Sequence, residues 1–408
     1  MGRMLKRISV KELKPGMYVT NIPQEGVKLG NDQREGRIKD EATVKALQQR
    51  GVKDLIIDTE QGDDSEEAVA LVPTEDSRDL AGEIHTASEE TTESVATQTA
   101  SFEQEFKKAG KIHNEALGLV NNALEAAQNG QAIDTKPFEE MASNFMDSVV
   151  RNQNALACLS RIRDKDSYLM EHSVNVAVLM SILGKYLELD NRYLHQCVTG
   201  ALLHDIGKVM IPDTILHKPG KLTDDEFTIM KRHSLYSQKI LEKSKGFPQV
   251  SINVAGQHHE RLDGKGYPAG LAGDEVTQEA RMASVVDVYD AITADRVYHD
   301  GMTPSTALKR MLEWCGPHLD VKYVHAFIKA MGVYPVGSLV ELDNGMAGIV
   351  IEETASTMKP VLRIIYSLKS HSFVEVTRLD LSEEGKAVSI IKAIDPVDHG
   401  IKLKDFLV

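Results

Sequence analysis

Hydrophobic and polar positions follow three different rhythms along the 408-residue chain. Residues 4 to 61 combine short apolar runs with one amphipathic stretch. The pattern predicts an extended segment over 7–19 with a turn at Lys14-Pro15-Gly16, a helix from an Asp40 N-cap through Arg50, a stop at Gly51 and a buried strand over 53–58. From 62 to 101 the rhythm is lost. Rich in Glu, Asp, Ser, Thr and Ala and without an aromatic residue, this segment cannot bury enough apolar surface to offset chain entropy, and it reads as an acidic flexible linker with room for short helical stretches.

Helical spacing starts at 102 and runs to 163, broken at Asn129-Gly130 and Lys136-Pro137. Leu117, Val120 and Leu124, then Phe145, Val149, Leu156 and Leu159, recur at helical intervals, as in a packed hairpin; dimer contacts along it are the alternative. Residues 164–331 read as almost wholly helical, with helices over 168–187, 191–203, 224–244, 249–259, 278–294, 304–314 and 320–331. After Tyr334-Pro335 the period shortens to two. Strands are expected over 338–342 and 348–352 around Asp343-Asn344-Gly345, then over 361–366 and 373–379. The fold class is therefore multidomain: a small α/β N-terminal domain (1–61), the linker (62–101), a helical hairpin leading into the core (102–163), a central all-α bundle (164–331) and a small β-rich C-terminal region (332–408).

Composition narrows the function classes. Net charge is −14, but residues 62–98 hold eleven acidic residues against one arginine, so the rest is close to neutral. No general basic field exists for wrapping DNA or RNA. The three cysteines, Cys158, Cys197 and Cys315, lie far apart without C-x-x-C spacing, which disfavours a zinc knuckle or a disulfide scaffold. With no apolar signal core at the N-terminus and no uncharged apolar run of about 18 residues, membrane insertion is not expected and a cytoplasmic location is.

The candidate chemistry lies in the helical region. His258-His259-Glu260-Arg261-Leu262-Asp263-Gly264-Lys265-Gly266-Tyr267-Pro268 places two adjacent imidazoles ahead of a loop with two glycines and a proline. Adjacent side chains point about 100° apart on a helix, so both histidines reach one centre only at a helix end. His172 sits in an otherwise apolar helix, His204-Asp205 ends the apolar run 198–203, His233 follows Lys231-Arg232, and Asp287 is embedded in Val285-Val286-Asp287-Val288-Tyr289. A single buried histidine is ordinarily a hydrogen-bonded core residue. A buried carboxylate, by contrast, costs several kcal/mol unless it is paired or coordinated. Five histidines and two aspartates placed this way indicate a metal site.

Three motifs, residues 204–208 (HDIGK), 258–268 (HHERLDGKGYP) and 287–298 (DVYDAITADRVY), make the region from about 164 to 330 resemble the HD-GYP family of bacterial cyclic di-GMP phosphodiesterases, a subgroup of the HD superfamily of metal-dependent phosphohydrolases. The first residues resemble a small domain often found ahead of HD-GYP domains. The resemblance implies an HD-type bundle and two divalent ions per chain. His172, His204, Asp205 and Asp287 would hold one ion, and His233, His258 and His259 the other, with Asp205 bridging. It also implies Asp205 and Lys208 as catalytic residues, with Lys208, Asp263, Gly264, Lys265, Gly266, Tyr267 and Pro268 against the substrate. Arg296, nine residues after Asp287, reads from its own chemistry as a bidentate clamp on phosphate or a guanine edge, or else as a helix-end surface charge. Imidazole-rich ligation with two carboxylates favours iron or manganese, while zinc or nickel could occupy it by affinity without supporting the reaction and magnesium is a further alternative.

The expected activity is hydrolysis of cyclic di-GMP to linear pGpG. Hydrolysis of another cyclic dinucleotide such as cyclic GMP-AMP, or binding without cleavage as a receptor, are the alternatives. A homodimer and signalling protein partners remain open. Three departures from the family pattern stand out. Tyr168 occupies the position where some relatives have a glutamate that holds a third metal, which points to two ions and to pGpG as the end product; Ser234 replaces a common proline, and His299 a common basic residue.

Overall fold

The computed structural model describes residues 5–21, 36–50, 52, 54–58, 62–63, 69–70, 100–160, 168–294, 301–354, 356, 358–383 and 388–407. The chain divides into two compact units, Met1–Glu90 and Thr91–Val408.

In the first unit, five strands form one antiparallel sheet. They are β1 (Leu5–Ser9), β2 (Tyr18–Asn21), β3 (Gly36–Arg37), β4 (Asp54–Asp58) and β5 (Val69–Ala70), in the order β3-β2-β4-β1-β5. β1 runs against β4 with Ile8 opposite Leu55. The turn expected at Lys14-Pro15-Gly16 is present, with Gly16 at φ +100° and its N–H donating to Ile38 O. Helix α1 (Glu41–Gln49) starts where Asp40 accepts from Thr43 N, and its Val44 and Leu47 join Ile8, Met17, Val19, Ile38, Leu55 and Ile57 in the core. One expectation is corrected. Val69–Ala70, inside the stretch read as linker, add a strand to the edge of this sheet by pairing with Lys6 and Arg7, so β structure continues past Gly62. A two-residue strand carries too little apolar pattern to be read from sequence. The other residues of that stretch lie outside the described ones, apart from 62, 63, 100 and 101.

The second unit begins with a helical hairpin, α2 (Phe102–Gln128) and α3 (Lys136–Leu159). Small residues on α2, Ala109, Ala116, Ala123 and Ala127, let α3 approach with Phe138, Met141, Phe145 and Val149. One charge is buried between them. Glu105 accepts from Ser148 Oγ and from two guanidinium nitrogens of Arg151 at 2.7–2.9 Å, which holds its carboxyl below the usual range in spite of burial. α3 breaks at Asn152 (φ −164°), whose side chain donates to Ala100 O and accepts from Asn154 N, so the last turn changes direction toward α4 (Tyr168–Tyr186).

α4 is apolar all round and buried accordingly, with Val174, Val176, Ala177, Val178, Leu179, Met180, Ile182 and Leu183 in the core. Around it lie α5 (Asn191–Leu202), a 3₁₀ turn (Ile206–Met210), α6 (Asp213–Leu216), α7 (Asp224–Met230), α8 (Arg232–Lys243), α9 (Gln249–Gln257), α10 (Gln278–Thr293), α11 (Pro304–Glu313) and α12 (Val321–Met331). The single helix expected over 224–244 is two helices, divided at Lys231, and the helix expected over 249–259 ends at Gln257. Among the described residues no helix is long and apolar enough to cross a membrane.

A second antiparallel sheet closes the chain: β6 (Leu339–Leu342), β7 (Met346–Glu352), β8 (Val361–Ser367), β9 (Ser372–Asp380) and β10 (Ile390–Ala393), in the order β10-β6-β7-β8-β9. Asp343-Asn344-Gly345 makes the expected turn, with Gly345 at φ +83°. The fifth strand, β10, was not among those the pattern predicts. Leu339, Leu342, Ile349, Leu362 and Ile365 form a core that also takes in Cys158 of α3, with Phe102 and Phe106 of α2 packed against it.

Just beyond β7, burial raises the Glu353 carboxyl to about 7, against the hydrogen bond from Gln153 and the charge of Lys185. A folded-state value above the unfolded one (4.5) means that this carboxyl contributes stability below 4.5 that is lost as pH rises through 7. Glu353→Gln removes that loss. The melting temperature of the variant should therefore gain on wild type between about pH 5 and about pH 8. Parallel curves would show that Glu353 does not titrate differently in the folded protein.

Candidate metal centre

Seven polar side chains converge among the helices of the second unit. His172 lies in the first turns of α4. His204 and Asp205 follow the end of α5, where the chain tightens into the 3₁₀ turn through Ile206 N→Leu203 O and Lys208 N→Asp205 O. The sharp exit requires Gly207: a Cβ there would lie 2.1 Å from His233 O and 2.4 Å from Ser237 N. The bare backbone lets the turn rest on α8, fixed by Gly207 N donating to Ser237 Oγ at 2.9 Å, and this brings Asp205 over His233. His258 caps the C-terminus of α9 and His259 follows it, so at this helix end two neighbouring rings turn to one side, with centroids 4.1 Å apart. Asp287 comes from the middle of α10.

The outer ring nitrogens are already engaged. His204 Nδ1 lies 2.8 Å from Ala201 O, His233 Nδ1 2.8 Å from Met230 O, His258 Nδ1 3.0 Å from Ala255 O, and His172 Nδ1 2.8 Å from an Asp290 carboxylate oxygen. The three carbonyls only accept, so Nδ1 of His204, His233 and His258 carries the proton and Nε2 a lone pair, whereas His172 also sets Nε2 2.9 Å from Asp287 Oδ1 and so faces a carboxylate acceptor at each nitrogen. The Nε2 atoms then face one another, His172 to His204 at 3.3 Å and His233 to His258 at 3.4 Å. Between the neutral His233 and His258 rings, two lone pairs at that distance repel. A cation between them removes the conflict, and the residues therefore fit metal ions.

Asp205 stands between the two groups. Its Oδ2 is 3.5 Å from His172 Nε2 and 3.4 Å from His204 Nε2, while Oδ1 is 3.4 Å from His233 Nε2. Buried Oδ1 has no hydrogen-bond partner among the described residues. The donor atoms of His172, His204 and Asp287 lie within 4.8 Å of one another, as do those of His233, His258 and His259, and those of His204, Asp205 and His258. The two groups differ electrostatically. Burial drives His233 down, His258 well down and His259 to about 3, keeping that side neutral. Burial also disfavours charge on His172, but hydrogen bonds to Asp287 and Asp290 outweigh it and raise the ring to about 9. Both aspartates stay ionised: burial opposes this, but Lys208 and the rings hold Asp205 well below the usual carboxylate range, and His172 does the same for Asp287.

The remaining sequence candidates take different places. Lys208 reaches the centre, its Nζ 2.6 Å from Asp205 Oδ2. Tyr267 forms a wall, its ring 4.7 Å from His259 and 6.2 Å from His233, and Pro268 follows it across a cis peptide bond. The other loop residues shape the backbone. Asp263 is engaged by Arg261 and by Lys265 N, Gly264 adopts φ +71°, and a Cβ on Gly266 would lie 2.4 Å from Arg261 N. Arg296 and His299 lie outside the described residues, as does the side chain of Tyr168. Ser234 is buried, its Oγ donating to Lys231 O.

Sequence reasoning missed two supporting carboxylates. Asp290 orients His172, and its spacing of three from Asp287, one helical turn on, was the available signal. Glu260 is not among the grouped donors. Buried beneath the loop, it accepts from Ala269, Gly270 and Leu271 N–H at 2.7, 3.1 and 3.0 Å and thereby holds the Tyr267 segment against the centre.

Asp290→Ala should leave the helix intact yet weaken metal retention on the His172 side by about 10- to 100-fold, read by competition with a chelator. Glu260→Ala should instead keep metal affinity and impair substrate binding, because three loop N–H groups lose their acceptor. Unchanged metal affinity in the first variant, or metal loss in the second, would reverse the roles assigned here.

An HD domain model matches residues 157–322, and a model for a domain of unknown function, DUF3391, matches 5–138. The cyclic di-GMP phosphodiesterase PA4108 of Pseudomonas aeruginosa is 36% identical over 95% of this chain and 92% of its own length. A probable cyclic di-GMP phosphodiesterase of Vibrio cholerae is 42% identical over 43% of this chain and 42% of its own. A 3′3′-cGAMP-specific phosphodiesterase, number 3 of the same species, is 36% identical over 42% and 37%. Because the similarity to the first runs nearly end to end in both proteins, and the HD match spans the helices that carry all seven side chains, the chain belongs to the HD-GYP family of HD-domain phosphodiesterases.

Proposed function

We propose that this protein hydrolyses one phosphodiester bond of cyclic di-GMP, releasing linear pGpG, at a centre of two divalent ions held by His172, His204, Asp205 and Asp287 on one side and His233, His258, His259 and Asp205 on the other. The observation that carries this reading is the set of inward-facing Nε2 atoms around a buried carboxylate whose two oxygens point to different groups. Bound there, the ions would supply positive charge for the phosphoryl oxygens and acidify a water nucleophile near neutral pH. Iron or manganese suits the donor set best.

The chain's own groups do the rest. Lys208 and His259, with 19% and 27% of their side chains exposed, form the open side of the centre with Tyr267. The Lys208 ammonium, now 2.6 Å from Asp205 Oδ2, would turn to the phosphate under attack once ions took up the Asp205 charge. Water adds to phosphorus, the P–O3′ bond breaks and the 3′ oxygen leaves with a proton, giving a 5′-phosphate and a 3′-hydroxyl. The same centre would serve cyclic GMP-AMP, and similarity to a cGAMP-specific enzyme supports testing both. Retention of a full donor set favours turnover over binding alone. The reading includes a cytoplasmic location.

Protein loaded anaerobically with Fe(II) or Mn(II) should hold two ions per chain and convert cyclic di-GMP to pGpG, resolved by chromatography. Asp205→Ala should lose both ions and at least on the order of a thousandfold in rate. Intact cyclic di-GMP after incubation with loaded wild type would sink the proposal, and so would two ions retained by the variant.

A further inference from the structure

At the mouth of the centre lies an aromatic ring that neither the fold nor the metal site uses. Helix α7 buries none of its seven residues. It is held at its N-terminal end, by a capping box between Thr223 and Glu226 and by Lys218 Nζ 2.6 Å from Glu226 Oε2. On this helix Phe227 keeps 47% of its surface exposed. A phenylalanine left in water contributes little hydrophobic stabilisation, so packing does not account for it. Its position suggests a role. The ring meets Tyr267 nearly at right angles, with centroids 6.5 Å apart, and Tyr267 in turn lies against His259 and His233. Lys231 Nζ stands 5.2 Å over the Phe227 ring, and two residues further on the same chain segment supplies His233. An exposed ring polarised by a cation, one aromatic contact from two metal-ligand candidates, is suited to receive a flat π-system attached to a phosphate.

Resting on the phosphodiesterase reading above, we propose that Phe227 is a stacking platform for a purine base of the substrate. The cyclic dinucleotide would place its phosphodiester at Lys208 and lay one base on this ring. Stacking reads the face of a base and not its hydrogen-bonding edge. Phe227 therefore sets affinity for guanine and adenine alike and does not discriminate cyclic di-GMP from cyclic GMP-AMP.

The test compares Phe227→Ala, Phe227→Leu and Phe227→Trp in metal-loaded full-length protein, with metals counted in each. Loss of the platform should raise KM about tenfold or more in the Ala and Leu variants for whichever cyclic dinucleotide is turned over, with kcat within about twofold. The Trp variant should restore KM, and its indole fluorescence should be quenched by substrate. A Leu variant that behaves as wild type would show the ring to be apolar cover only. Loss of metal together with kcat would show that it merely seats His233, and an unchanged KM in the Ala variant would remove it from substrate binding. Any of these overturns the proposal. Failure of wild type to cleave any cyclic dinucleotide would overturn the functional reading instead. Titration of the Phe227→Trp protein with guanosine 5′-monophosphate would then decide the platform alone, quenching supporting it and an unaltered signal refuting it.

Discussion

The whole centre depends on what four of its five imidazoles do with the outer nitrogen. Backbone carbonyls at Ala201, Met230 and Ala255, each three residues before the histidine it engages, take up the outer N–H, and Asp290 does the same for His172. At the three carbonyl-bound rings local helix geometry thus fixes the tautomer before any ion arrives. The lone pairs of His204, His233 and His258 are forced inward, and the burial that makes an uncoordinated cluster unfavourable also keeps His233, His258 and His259 neutral. The rest of the helical architecture supports this arrangement. Gly207 sets the spacing between the 3₁₀ turn and α8, Ser284 Oγ donates to His258 O to fix the end of α9, and Glu260 holds the loop over the open side.

Much of this was legible in the sequence because burying ionisable groups is costly. An aspartate within Val285-Val286-Asp287-Val288 and histidines in apolar runs violate the periodic pattern, and such violations mark function. The inference that adjacent His258 and His259 require a helix end agrees with the termination of α9 at Gln257. Less legible were features written in the backbone. The break at Lys231 lies inside an unbroken helical pattern and carries no proline or glycine, so periodicity alone runs through it. β5 and β10 are short edge strands whose pairing is set by tertiary contacts and not by alternation. Glu260 could be seen beside two histidines, but that its partners are three backbone N–H groups nine to eleven residues away could not.

The kink at Asn152 shows how one helix serves two environments. Before it, α3 presents Phe138, Phe145 and Val149 along the hairpin; after it, Cys158 enters the core beneath the C-terminal sheet, while Ser160 O accepts from Asn175 on α4, one turn from His172. A regular helix could not meet both requirements in a single register. The Asn152 side chain replaces the backbone bonds lost at the break.

The strands after Tyr334 look like an attachment in sequence, yet their core contains Cys158, and Phe102 and Phe106 of the hairpin pack against it, more than two hundred positions earlier in the chain. The divide at residue 332 is therefore one of topology and not of independent stability. A fragment ending at Met331 would keep every metal-ligand candidate but leave two phenylalanines and a cysteine of the hairpin without cover. Cutting the catalytic helices free at that point would exchange a folded interface for a sticky one.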